Sequence, residues 1–335
     1  NTYSVEYDLK NSKDPVFASK VSRQYNTNHT NIKIGPLEVD SYLEELLRSL
    51  DEPIADSALI ATYALSKKAS QDGVKVVLTG AGGDEIFGGY GRYKKPKVLS
   101  RLWIRDFVLF NAPNSFAKIL RAAKPGLSSR FGNLCLNYAA QISGADYYFI
   151  ENILRDPQRY QTLLDLVKCE FESIESNESE FGYEYSRMHN DLNGYLINNV
   201  LALTDKATMA ASVEARVPLL DHRLVEHAYS LKPQTNLYHG EAKGLFKRSL
   251  EGVLPNSVLY RRKEGFNAPV KHWVNGDSGL KLKSNLLGET SEVLKDFVDM
   301  NMVEKMLQQD SFDKTSFETV FSMYIFNRWY NYNFS

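Results

Sequence analysis

Cysteine is scarce: Cys135 and Cys169 are the only two in 335 residues. That is too few for a disulfide scaffold, and their spacing is not that of a metal knuckle. Such usage suits a reducing compartment, and a cytoplasmic location is the expectation. No apolar run approaches the roughly 20 residues that cross a bilayer. The first residues, NTYSVEYDLK, lack the basic start and apolar middle of a signal peptide. Neither charge sign is in excess, since 40 Lys plus Arg face 41 Asp plus Glu for a formal net charge of −1. Binding to nucleic acid or an anionic membrane usually leaves a basic surplus, so neither is expected as a partner. No internal repeat or low-complexity segment is present. The histidines, His29, His189, His222, His227, His239 and His272, show no metal-ligand spacing on a shared helix face. What is there, 43% apolar and 24% charged residues, describes a globular protein of one large or two modest domains. The chain opens without Met, directly in a segment that reads as a strand.

Along the first ninety residues, strand and helix signals alternate. Tyr3 to Tyr7 carries β-formers, and Asp14-Pro15 then offers an N-cap and a favoured first helical position. Phe17, Val21 and Tyr25 recur at helical spacing, and a second strand, Asn31 to Ile34, ends at Gly35-Pro36. Asp40 is expected to cap a helix with the stripe Leu43, Leu46, Leu47 and Leu50, and another helix runs from about Ser57 to Ser70. Val74 to Leu78 is nearly continuous in β-branched residues, as expected of a strand covered on both faces. The expectation is an α/β fold, a doubly wound, mostly parallel sheet with a large helical C-terminal part. The division expected is 1–96 as the α/β nucleotide-binding part and 97–335 as the mainly helical part of the same domain. Within the latter, the basic stretch Arg101 to Arg121 reads as a solvated face of a packing helix, and Ser173 to Glu180 as an acidic, polar loop. The aromatic-rich end, Phe317 to Phe334, reads as a terminal helix packed on the core.

The chemistry concentrates in Val76-Val77-Leu78-Thr79-Gly80-Ala81-Gly82-Gly83-Asp84-Glu85-Ile86-Phe87-Gly88-Gly89-Tyr90. A strand ends in a Gly-rich turn followed by two carboxylates, which puts them at the carboxyl edge of the sheet, where open α/β folds bind ligands. Glycines let backbone N–H groups converge on a phosphate, and Asp84 is suited to hold an accompanying Mg²⁺. A tight turn with solvated acids accounts for the same residues. This segment resembles the S-G-[DE]-G-[GS]-D-E-[LIV]-F-G-G-Y motif of the asparagine synthetase family. Four further stretches agree in order: Leu50-Asp51-Glu52-Pro53 with Ala55-Asp56-Ser57; Asp205-Lys206 with Met209; Val213 to Asp221; and Arg262-Lys263-Glu264-Gly265-Phe266.

The resemblance implies an ATP-dependent amide ligase of the ATP pyrophosphatase type. A carboxylate, aspartate in the namesake enzymes, becomes an acyl-adenylate and is then attacked by ammonia derived from glutamine. Carried over residue by residue, it implies that Val5 contacts adenine through its backbone and that Thr79 and Gly80 contact the nucleotide. Gly82 and Gly83 belong to the same ATP-binding turn, and Asp84 is associated with Mg²⁺ and pyrophosphate. Lys243 and Lys263 match lysines near the phosphates and the tetrahedral intermediate, with Lys263 the main electrostatic catalyst. Outside the family pattern, Lys263 reads as a surface cation beside Arg261 and Arg262. Asp51, Glu85 and Lys206 are expected near substrate or phosphate, along with Glu52 and Asp56, although capping of the helix near Ser57 accounts equally for Asp56. Glu214, Arg216 and Asp221 are expected in buried structural ion pairs.

Three departures qualify the match. The family's S-G-G-x-D-S loop belongs shortly before Tyr3, and its glutaminase domain with an N-terminal Cys has no counterpart here. The chain therefore reads as a fragment that binds ATP weakly or not at all by itself, and Ser143-Gly144-Ala145-Asp146 is only a superficial echo of the loop. Ala81 stands where the motif has Glu or Asp. That substitution leaves open another carboxylate, such as a surface-polysaccharide precursor, or a non-catalytic member of the family. A homodimer is a further expectation.

Overall fold

The computed structural model describes residues 1–7, 14–93, 147–236, 240–261, 266–270, 274, 277–308 and 314–334. The expectations for Arg101 to Arg121, Ser143 to Asp146, Cys135, His239, His272 and Lys263 lie outside these residues. The chain divides into two compact units, Asn1–Tyr93 with Met188–Ser278, and Lys94–Arg187 with Gly279–Ser335.

The first unit begins with β1 (Thr2–Tyr7), α1 (Asp14–Gln24) and β2 (His29–Ile34). β1 and β2 pair in parallel, Val5 opposite Ile32, with α1 as the crossover. α2 (Pro36–Ser49) and α3 (Ala58–Gln71) follow, then β3 (Val76–Leu78), which pairs in parallel with the distant β4 (Glu214–Arg216). Among the described residues, therefore, short parallel strands are joined through helices, the pattern of an α/β protein. α3 packs on β1 and on α8 (Ala202–Ala210), which leads into β4. The core contains Leu43, Leu46 and Leu47 of α2 with Leu59, Ile60 and Ala64 of α3. Each buried leucine or isoleucine contributes about 1.5–3 kcal/mol relative to exposure.

Three local expectations in this unit are corrected. α2 starts at Pro36, one turn before Asp40, because a proline at the first helical position has its φ already set. The Glu38 carboxylate accepts the Gly35 N–H at 3.0 Å, satisfying a donor at this end. β3 is not covered on both faces: Val76 and Leu78, which alternation puts on one face, are 41% and 73% exposed. The ion pairs of the Val213 to Asp221 segment are on the surface. Arg216 bonds Glu214 at 2.9 Å with both side chains more than half exposed, and Asp221 pairs with Arg223 while capping α9 (His222–Ser230). Screened pairs of this kind contribute little.

The first unit continues with α4 (Gly83–Phe87), part of α7 (Tyr183–Asn193), a π-helical turn (Leu196–Leu201), α10 (Pro233–Asn236), α11 (Gly244–Ser249) and α12 (Asn256–Leu259). The second unit is helical among its described residues, with α5 (Tyr147–Ile153), α6 (Pro157–Phe181), most of α13 (Asp277–Leu287), α14 (Glu292–Lys295), α15 (Met300–Leu307) and α16 (Lys314–Phe334). Ser173 to Glu180 is helical, not a loop. Asp156 caps α6 by accepting the Gln158 N–H at 2.9 Å, Pro157 takes the first position, and Ile174 is fully buried within the acidic stretch. Glutamate is also a good helix former. α16 buries Phe317, Val320, Phe321, Tyr324 and Ile325, as the aromatic-rich end suggests. No described helix is long and apolar enough to cross a membrane.

Candidate active site

The turn after β3 is built by backbone hydrogen bonds and one left-handed residue. Thr79 N–H donates to the Arg216 carbonyl at 2.9 Å, extending the β3–β4 ladder by one rung. Thr79 Oγ1 then accepts the Ala81 N–H at 3.3 Å, and Gly83 N–H reaches the Gly80 carbonyl. Gly82 has φ of 85°, a conformation that disfavours any side chain, and a Cβ there would lie 2.3 Å from Leu220 Cδ2. The chain thus turns sharply into α4, and Asp84 sits in its first turn.

Lys243 arrives from 159 positions away in sequence (243 − 84) at the start of α11. Its Nζ lies 3.1 Å from Asp84 Oδ1, with both side chains about three-quarters buried. Apolar packing makes this meeting. Ile86, Phe87 and Ala228 form a buried cluster with Leu192, Leu220 and Phe246, and the Phe87 and Phe246 rings stack with centroids 4.6 Å apart. The stack joins α4 to α11 and so sets the acid beside the lysine. Lys243 itself has φ of 56°, unusual for a residue with a side chain and costing about 1–3 kcal/mol.

The remaining expected residues are dispersed. Glu85 is 1% exposed and accepts the Tyr90 hydroxyl at 2.9 Å. Burial pushes its carboxyl above the ordinary value of 4.5, and the hydrogen bond from Tyr90 offsets only part of that shift. The sign follows: the neutral acid is favoured in the folded state, so this contribution is complete below about pH 4.5 and is lost as pH rises through the folded pKa. Glu85→Gln is expected to raise the melting temperature at pH 7–8 and to have no effect near pH 4, as thermal melts across pH would read out.

Lys206 pairs with Asp51 and lies 3.8 Å from Glu52, making a separate ion group near the start of α3. Asp56 caps α3 through the Ala58 N–H at 2.9 Å and also accepts from Asn199 and Asn267. Val5 lies in neither group. It lines a cavity of about 870 Å³ along β1 with Tyr7, Phe17, Tyr25, His29 and Arg261, and none of the residues from Thr79 to Asp84 lines it. Within it, His29 bonds Thr2 Oγ1 at 3.0 Å and Ser4 Oγ at 3.1 Å. No group of three or more potential ligand side chains is found among the described residues.

A buried network next to the turn had no sequence signal. Arg92 Nε donates to Asp191 Oδ2 at 2.8 Å, the Tyr93 hydroxyl donates to the same oxygen at 2.6 Å, and Asp191 is fully buried. The guanidinium lies 4.1 Å from the Tyr90 ring centroid and 4.9 Å from that of Tyr195. Nothing local in the sequence pairs position 92 with position 191.

With Asp84, Lys243 and the glycine turn in place, likeness to known proteins becomes interpretable. The chain is 26% identical over 343 residues to asparagine synthetase (glutamine-hydrolysing) 1 of Bacillus subtilis, covering 99% of this chain and 52% of that protein. It is 25% identical over 330 residues to asparagine synthetase (glutamine-hydrolysing) 3 of the same organism, covering 92% and 47%. A Mycobacterium tuberculosis protein whose name places it among the glutamine-hydrolysing asparagine synthetases is 31% identical over 301 residues, covering 86% and 44%. The chain spans about half the length of these relatives. The family model described as asparagine synthase matches residues 1–331, most of the chain and all of its first unit, and the chain therefore belongs to the asparagine synthase family.

Proposed function

We propose that this chain is the synthetase part of an ATP-dependent amide ligase supplied with ammonia from glutamine by a glutaminase domain. In the reaction, a carboxylate oxygen attacks the α-phosphorus of ATP, pyrophosphate leaves and an acyl-adenylate forms. Ammonia then attacks the acyl carbon, AMP departs with the bonding pair, and the nitrogen loses a proton. Aspartate is the first carboxylate to consider. The observation that carries this reading is the meeting of Asp84 and Lys243 at the carboxyl end of β3, in a chain of this family.

Each residue has work in this scheme. Backbone N–H groups of Gly80 and Gly82 bind phosphate oxygens, the Thr79 hydroxyl and Gly83 belong to the same ATP-binding turn, and the Lys243 ammonium neutralises charge on the departing pyrophosphate. Lys263 supports the oxyanion on the acyl carbon. Val5 offers its backbone to adenine, a role supported by the aromatic-walled cavity along β1, and Lys206 with Asp51 and Glu85 lies in the substrate's wider surroundings. A single carboxylate, three-quarters shielded from water, fits Mg²⁺, which typically takes one or two protein carboxylates and completes its shell with phosphate oxygens and water. Asp84 would hold such an ion, and the ion would supply charge neutralisation of the phosphates. The parallel pairs β1–β2 and β3–β4 would then be parts of one doubly wound sheet, with the nucleotide-binding part in 1–96. A cytoplasmic location and a homodimer complete the reading.

Ala81 favours a second reading. The motif's acid is missing at a position inside the nucleotide turn, between Gly80 and Gly82, so the carboxylate amidated need not be aspartate, and a surface-polysaccharide precursor is the alternative. Isotope exchange between pyrophosphate and ATP in the full-length protein decides. Aspartate-dependent exchange supports the first reading, exchange with another carboxylate alone supports the second, and no exchange with any carboxylate overturns both. Lys263→Ala is expected to lower product formation by about 10²-fold without changing the circular dichroism spectrum.

A further inference from the structure

We propose that Gly89 is a positioning residue for the Asp84–Lys243 pair, its lack of a side chain fixing where the carboxylate and the ammonium lie. This rests on the roles given to Asp84 and Lys243 above. A Cβ built on Gly89 would lie 1.8 Å from Asp84 Oδ1, 2.6 Å from Asp84 Cγ and 2.5 Å from Lys243 Cε. Non-bonded atoms of these types sit comfortably only beyond about 3.4 Å. All three contacts fall on the ends of side chains, so an alanine displaces the pair while the backbone can stay.

Neither backbone is placed to retreat instead. Gly89 N–H donates to the Asp84 carbonyl at 2.7 Å, which ties the floor of the site to the residue it supports. Lys243 is held by α11, whose Phe246 stacks on Phe87 of α4. The displacement therefore goes into the two functional groups. Gly91, two residues on, differs: a Cβ there meets nothing within 4 Å.

The test uses the full-length protein with Mn²⁺ as the spectroscopic probe, free Mn²⁺ being read by electron paramagnetic resonance in the presence of ATP. Gly89→Ala is expected to weaken apparent Mn²⁺ affinity by about 10- to 100-fold, and Gly91→Ala is expected to match the wild type. In the Asp84→Ala background, adding Gly89→Ala is expected to cause no further loss of Mn²⁺ affinity, because the carboxylate that Gly89 positions is already gone. If Gly89→Ala melts early, partial recovery of the melting temperature in that double variant supports the steric link, the contact with Lys243 Cε being left in place, and no recovery at all overturns it. Unchanged Mn²⁺ affinity in Gly89→Ala overturns the proposal alone. A wild-type protein with no nucleotide-dependent Mn²⁺ binding overturns the role of Asp84 and this proposal with it.

Discussion

Asp84→Ala in the full-length protein is expected to lower carboxylate-dependent pyrophosphate exchange by about 10³-fold or more while the fold survives. Two losses combine. The carboxylate that would hold the cation is gone, and Lys243, 3.1 Å away in the resting protein, loses its counter-charge. Three-quarters of each side chain is shielded from water, so their field at the phosphates is less screened than that of a surface pair. Stability should change little, because Ile86, Phe87 and Phe246 hold α4 and α11 together without the acid. Asp84→Asn keeps the shape and removes the charge, so it isolates the loss of charge from the loss of packing. Exchange close to wild type in either variant would exclude Asp84 from the reaction.

The largest effect on stability is expected at Asp191. Its replacement by Ala leaves the Arg92 guanidinium buried with no counter-charge and takes the acceptor from the Tyr93 hydroxyl. Breaking a buried pair in this way costs about 3–5 kcal/mol, which corresponds to about 10 °C in melting temperature for a chain of this size. Arg92 Nη2 approaches Asp191 Oδ2 at 2.6 Å without good hydrogen-bond alignment, so part of the pair's strength is charge alone. The double variant Arg92→Met/Asp191→Leu should recover much of the loss, since removing both charges leaves no ion to desolvate. Thermal melts of the two variants and the wild type test this, and equal melting of Asp191→Ala and wild type would show that Arg92 reaches water.

Some features of this protein depend on neighbours in sequence, and these were legible from it. The strand at Tyr3 to Tyr7, the helix from Asp14, the leucine stripe of α2 and the aromatic terminal helix follow from local periodicity and capping. The Gly-rich turn with Asp84 at its end was equally local, because a left-handed residue at Gly82 and the following helix start are decided within a few positions. Local rules also misled where two of them competed. Asp40 is a good cap, but Pro36 pre-sets the helix earlier; a run of glutamates looked like a loop, but Asp156-Pro157 had already started a helix that buries Ile174. The burial expected of Val74 to Leu78 required knowing what covers the strand, and the exposure of Leu78 shows that apolar character alone does not decide that.

Partnerships across the chain were decided only by tertiary structure. The sequence by itself marked Asp84 and Lys243 separately; the stacking of Phe87 on Phe246 puts them together. It marked Lys206 and Asp51 as site candidates, and the fold joins them to each other at the start of α3. Arg92 and Asp191 carried no signal, and the close fit of Gly89 against Asp84 and Lys243 carried none either. The reason is physical: turns, caps and periodic faces are short-range properties of the backbone. Which charge meets which, and whether water reaches them, depends on how apolar faces far apart in sequence pack.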